Sequence, residues 1–271
     1  MSIPLFQVDA FTSEIFKGNP AAVCILSEPA ESAWMQNVAR EMNLSETAFL
    51  SPRNDGYGLR WFTPEAEVEL CGHATLASAY VLWEAGYVRP SAKIRFNTLS
   101  GWLSASKKDD WIELDFPSAQ VVPGDISEEI IKALGPVPES IHRSAEKWLL
   151  EYLDENAIYG MTPDFIALKE RSGRGLIVTA KSDKPGIDFV SRYFAPWIGI
   201  NEDPVTGSAH TILGPYWGQK LHKTHLTAYQ ASARGGLLKV RVSAERTYIS
   251  GQAVTVFSGQ LAAWENSIAR S

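Results

Sequence analysis

A glutamate, a histidine, an aspartate and a serine stand where side chains are often turned to chemistry. Glu46 falls between a helical and a strand pattern, flanked by Ser45 and Thr47. Loops at such junctions commonly present catalytic groups, and a carboxylate drawn out of water there gains a raised pKa suited to shuttling protons. On local context alone, Glu46 reads more often as a solvated loop glutamate. His73 follows Gly72 at the head of an apolar run. A helix start disfavours an imidazolium, so a neutral ring able to donate or accept is expected, with a core histidine bonded to a backbone carbonyl as the equal alternative. Asp203 precedes Pro204, which holds it extended just ahead of a second helix start. It could orient an amine, a hydroxyl or the His73 imidazole, or serve as a plain helix cap. Ser208 offers a hydroxyl and a backbone amide to an anion, or caps in its turn.

These residues lie in two stretches that look like copies of one device. The first is Glu69-Leu70-Cys71-Gly72-His73-Ala74-Thr75, the second Glu202-Asp203-Pro204-Val205-Thr206-Gly207-Ser208-Ala209-His210. Each is a glycine-opened helix start followed by small, apolar residues. The first amides of a helix are unpaired and carry partial positive charge, so two such ends facing each other would grip an anion, above all a carboxylate. Gly72, His73, Gly207 and Ser208 are therefore the expected substrate-binding positions. The copies differ at one telling place. Thiol racemases set a cysteine at each of two facing helix starts, whereas here Cys71 is matched by Thr206, a far weaker base. One thiol cannot serve both faces of a substrate, and Cys71 reads as a buried packing residue. His222 and His225 have the spacing of a helical metal pair but no carboxylate or cysteine nearby, so they read as surface histidines and no metal is expected. Gly173-Arg174-Gly175 is too short for a phosphate loop, and no dinucleotide or Walker motif occurs, so no cofactor is implied.

The elements that must position these groups can be read from periodicity. Residues 5–8, 21–26, 47–50, 59–62, 68–71, 93–97, 102–106 and 111–116 read as strands, the last two joined by a turn at 107–110. Helical spacing runs from Ser32 to about Asn43. The segment 74–85 is apolar nearly all round, the mark of a helix buried on every side, with Gly86 to end it. In the second half, strands are expected at 149–153, 176–180, 192–195, 237–242, 247–249 and 253–257, with a short helix at 164–168. Residues 210–213 can form helix, but Gly214-Pro215 should kink or shorten it. The pattern predicts an α+β architecture of two pseudo-symmetric lobes, each of short strands around one buried helix. The lobes are expected at 1–117 plus 258–271 and at 118–257, with the active site in the cleft between them.

Composition narrows the functional classes. The chain has 271 residues, 45% hydrophobic and 21% charged, with a net charge of −6. That charge argues against a non-specific nucleic-acid binder but not against an anionic substrate held by local dipoles. Two cysteines are too few for a disulfide scaffold, and neither a signal-peptide pattern nor a bilayer-length apolar run is present, so a cytoplasmic protein without membrane contact is expected.

Taken together, the motifs resemble the PhzF-like family of phenazine-biosynthesis isomerases, within the diaminopimelate-epimerase-like fold. The matching segments are Val8-Asp9-Ala10-Phe11, Gly18-Asn19-Pro20-Ala21-Ala22-Val23, Asn43-Leu44-Ser45-Glu46-Thr47-Ala48-Phe49, Trp61-Phe62-Thr63-Pro64, Arg192-Tyr193-Phe194-Ala195-Pro196, the two helix-start motifs, and Gly251-Gln252-Ala253-Val254. The resemblance implies two lobes, each a barrel-like sheet around a central helix, a homodimer, and no metal or organic cofactor. It implies that Glu46 is the general acid/base, supported by His73, Asp203 and Ser208. The reaction implied is a proton-transfer isomerisation of a small carboxylate. An epimerase or racemase of an amino or hydroxy acid on the same fold is the nearest alternative, and a non-catalytic binding protein that keeps the cleft is the second.

Overall fold

The structure, a computed structural model, describes residues 2–262. Its contacts divide into two units, one built from the residues up to Phe16, Pro20–Ile112 and the segment from Gln252, the other from Lys17–Asn19 and Glu113–Gly251. In the first unit, β1 (Ile3–Ala10) pairs with β2 (Asn19–Ile25), and β2 runs parallel to β3 (Glu46–Arg53). Parallel strands need a crossover, and helix α1 (Ser32–Met42) supplies it. Its inner face sets Met35 and Ala39 on Cys24, Phe49 and Phe62. The helix stops at Asn43, which takes the left-handed conformation at φ 50° and returns its N–H to the Ala39 carbonyl. Asparagine tolerates that conformation better than most residues. The stop delivers Glu46 to the first position of β3.

Strand β4 (Gly56–Phe62) pairs antiparallel with β3 and with the short β5 (Glu67–Val68), and parallel with β6 (Ile94–Thr98). The second crossover is α2 (Gly72–Glu84), buried on nearly every side, as its sequence demands. Its internal hydroxyls are absorbed by its own turns: Thr75 donates to the Cys71 carbonyl and Ser78 to that of Ala74. Strand β5 ends at Val68, so residues 69–71 are not strand as expected; Cys71 already caps α2. Strands β7 (Gly101–Lys108) and β8 (Trp111–Pro117) follow, with Asp109 turning the chain at φ 53°.

The second unit repeats the order. After β9 (Val122–Pro123) and α3 (Glu128–Leu134), β10 (Ser140–Ser144) pairs antiparallel with β11 (Lys147–Tyr152). Strand β11 runs parallel to β12 (Gly175–Lys181), with α4 (Glu155–Gly160) and α5 (Phe165–Lys169) in the crossover. Strand β13 (Phe189–Ala195) is antiparallel to β12 and to β14 (Ile200–Glu202), and parallel to β15 (His225–Gln230) across helix α6 (Gly207–Leu221). Strands β16 (Gly236–Ser243) and β17 (Arg246–Gly251) pair on antiparallel, and α6 packs against them. The two units thus share one sequence of parallel and antiparallel steps. Within it, the pair Ala21 and Glu46 of β2 and β3 holds the place that Lys147 and Gly175 hold in β11 and β12. The last strand, β18 (Ala253–Leu261), pairs antiparallel along β1, although the sequence pattern groups 253–257 with the second half. Residues 263–271, expected in the first lobe, lie outside the described residues.

Gly214-Pro215 does not shorten α6, contrary to expectation: the helix runs through the proline to Leu221. A helical proline removes the N–H that would reach the carbonyl four residues back. That carbonyl belongs to Thr211, and it instead accepts the backbone N–H of Ala119. Gly214 faces β16 closely: a Cβ there would lie 2.7 Å from Val240 Cγ1. Gly214→Ala should therefore lose stability, overpacking of about 1–3 kcal/mol outweighing a helix-propensity gain of about 1 kcal/mol. Urea unfolding would show it as a lower midpoint; an unchanged midpoint would mean the strand yields freely.

Candidate active site

In the first unit, β3 and α2 bring Glu46 and His73 together. His73 Nε2 lies 3.2 Å from a Glu46 carboxylate oxygen, with the histidine side chain 6% and the glutamate side chain 15% exposed. On the other edge of the ring, Nδ1 is 3.5 Å from Cys71 Sγ. Burial pushes the imidazole down to about 3, opposed in part by a hydrogen bond to the Pro20 backbone. At neutral pH the ring is uncharged. Uncharged, it brings no positive charge to bind the carboxylate away from a substrate.

Glu46, Cys71 and His73 are also the one set among the described residues whose donor atoms cluster as metal ligands do, all within 4.8 Å.

The second unit places Asp203 and Ser208 at the start of α6. Arg192 of β13 clamps Glu202 through both carboxylate oxygens and donates to the carbonyls of Ile158 and Met161, which fixes the approach to Asp203. Asp203 accepts from Asn19 Nδ2 at 2.7 Å and from the Thr206 hydroxyl. Among the described residues its carboxylate accepts from side chains and from no backbone amide of α6. Burial raises it to about 6, against the pull of those two donors and of Lys147. The fully buried Gln230 locks the turn, accepting from the Thr206 N–H and donating to the Asp203 carbonyl. Ser208 accepts a hydrogen bond from Lys147 Nζ at 2.7 Å.

Cys71 and Thr206 are the N-caps of α2 and α6, the equivalent positions that the sequence assigns them. Cys71 is buried, and Thr206 is committed as a donor to Asp203. His222 and His225 share no helix face: His222 ends α6 in the left-handed conformation, His225 opens β15, and both are exposed. Sequence reasoning missed Asn19, Lys147 and Gln230. Asn19 lies in the Gly18-Asn19-Pro20 segment that carries part of the resemblance but gives the side chain no role, and Lys147 and Gln230 reach the α6 start only through strand register.

Comparison with known proteins gives a consistent picture. The family model described as PhzC-PhzF, phenazine biosynthesis-like protein, matches residues 8–259. An uncharacterized isomerase of Halalkalibacterium halodurans is 52% identical over 96% of this chain and 99% of its own. The crystal structure of a phenazine biosynthesis protein of the PhzF family from Enterococcus faecalis superposes with a TM-score of 0.93 at 46% identity, covering 97% of this chain and all of that one. A probable proline racemase from Agrobacterium radiobacter shares the fold alone, with a TM-score of 0.65 at 14% identity over 98% of this chain and 94% of that one. Among the described residues no helix is long and apolar enough to cross a membrane.

Proposed function

The chain belongs to the phenazine biosynthesis-like PhzC-PhzF family, and from that membership we propose that it is a cofactor-independent isomerase moving a proton on a small carboxylate substrate. Glu46 takes the proton from one carbon and returns it to another on the same face. His73 holds the Glu46 carboxyl group in place. Asp203 and Ser208 orient the substrate's polar groups, and the amides at Gly72-His73 and Gly207-Ser208 bind its carboxylate. The observation that carries this reading is the approach of Glu46 to a neutral, buried His73 at 3.2 Å.

The asymmetry of the two helix caps favours one carrier over two opposed bases. A thiol epimerase needs a base at each cap, and the hydroxyl of Thr206 is a weak one already donating to Asp203. Cys71→Ser is expected to leave turnover nearly unchanged, whereas a thiol base would lose about 10²-fold or more. Steady-state kinetics on a carboxylate found by thermal-shift screening makes the comparison, and a loss of that size would move the reading to the epimerase. A non-catalytic binder would exchange no carbon-bound hydrogen of any bound acid in heavy water.

A further inference from the structure

We propose that Lys147 is a further substrate-binding residue, its ammonium holding the substrate's anionic carboxylate beside the Ser208 hydroxyl; this rests on the carboxylate reading above. Lys147 Nζ spends one of its N–H groups on Ser208 Oγ, 2.7 Å away, and otherwise sits 5.5 Å from the centroid of the Tyr193 ring. Among the described residues no carboxylate lies within ion-pair distance of it, and Asp203 acts on it only at longer range. The charged surroundings do not favour a cation there. The start of α6 is a positive helix end, and Arg174 adds repulsion. Burial and that repulsion bring the Lys147 ammonium down to about 8 against the pull of Asp203, so the group is still mainly charged at neutral pH. An anion between Lys147, Ser208 and the first amides of α6 relieves all three. Because Ser208 accepts from Lys147, its own proton is turned toward another acceptor.

The internal repeat points the same way. In the first unit the residue facing the helix start is Glu46, paired in register with Ala21. In the second unit the glutamate's place is Gly175, where a Cβ would lie 2.2 Å from the Tyr193 hydroxyl oxygen, and the partner strand carries Lys147 instead. One copy of the device sets a carboxyl group beside its helix start, the other an ammonium group. The substrate class that fits is an acid bound as its anion, with the carboxylate at the second helix start.

The test compares benzoate with its neutral counterpart benzamide by titration calorimetry on wild type, Lys147→Met and Lys147→Arg. Lys147→Met should weaken benzoate by about 10- to 100-fold, the worth of a charged hydrogen bond, and leave benzamide unchanged. Lys147→Arg should restore most of the preference for the anion. A wild type that binds benzoate no better than benzamide, or a Lys147→Met protein that keeps the preference, overturns the assignment. If Lys147→Met fails to fold, the Nζ resonance of the wild-type lysine decides: benzoate should raise its titration midpoint, and an unmoved midpoint overturns the proposal. Benzoate binding needs no turnover, so this inference fails or stands separately from the role of Glu46.

Discussion

Glu46→Gln should lower turnover about 10²- to 10⁴-fold, the usual worth of a positioned general acid/base, with carboxylate binding nearly intact. Glutamine keeps the size of the side chain and one acceptor oxygen beside His73, so the fold has little to lose. It removes the one group in that cluster suited to carry a proton back and forth. His73 cannot replace it: with its imidazole pushed down to about 3, it is too weak a base at neutral pH. Calorimetric binding and steady-state rate, measured on the same acid, separate the two effects. Near-normal turnover in Glu46→Gln would place the proton transfer on another residue.

The second large effect is on stability in acid. His73 and His210 are both buried and neutral, His210 held at about 4 with Nδ1 against the Thr206 carbonyl at 2.8 Å. Their folded-state values lie below the unfolded value of about 6.5. As pH falls through 6.5, the unfolded chain takes up protons that the folded chain refuses, so stability declines. At pH 4 each histidine should have cost about 3 kcal/mol, the product of 2.5 pH units and 1.36 kcal/mol per unit. Asp203 works in the opposite direction. Its folded value, raised to about 6, means the folded state binds the extra proton between roughly 6 and 4, which returns part of the loss. Urea unfolding across pH 7 to 4 should show a net decline, and His210→Gln should flatten it. A variant whose slope matches wild type would mean His210 titrates normally in the folded chain.

Much of the fold was legible because its elements carry strong local signals. The all-round apolar run of α2 could only be a buried helix, and α1 showed its amphipathic spacing and its stop at Asn43. Alternation marked β7 and β8, and short apolar runs marked most of the other strands. Short polar elements were lost, among them β10 and α4, because their burial comes from tertiary neighbours and not from their own pattern. Gly214-Pro215 misled for a different reason: the donor that rescues the Thr211 carbonyl is Ala119, almost a hundred residues away in the chain. The candidate site divides in the same manner. Glu46, His73, Asp203 and Ser208 lie in dense local motifs and became candidates once those motifs were read together. Lys147 stands in no motif, and only the pairing of β11 with β12 and its contact with Ser208 give it a place.

The most direct measurement follows carbon-bound hydrogen in heavy water, using a carboxylate that stabilises the protein in a thermal-shift screen. Wild type should exchange or relocate a single hydrogen on one face of that acid, and Glu46→Gln should bind the acid yet leave its hydrogens in place. Undiminished exchange in Glu46→Gln, or no exchange in wild type with any acid that binds, would contradict a proton carried by Glu46.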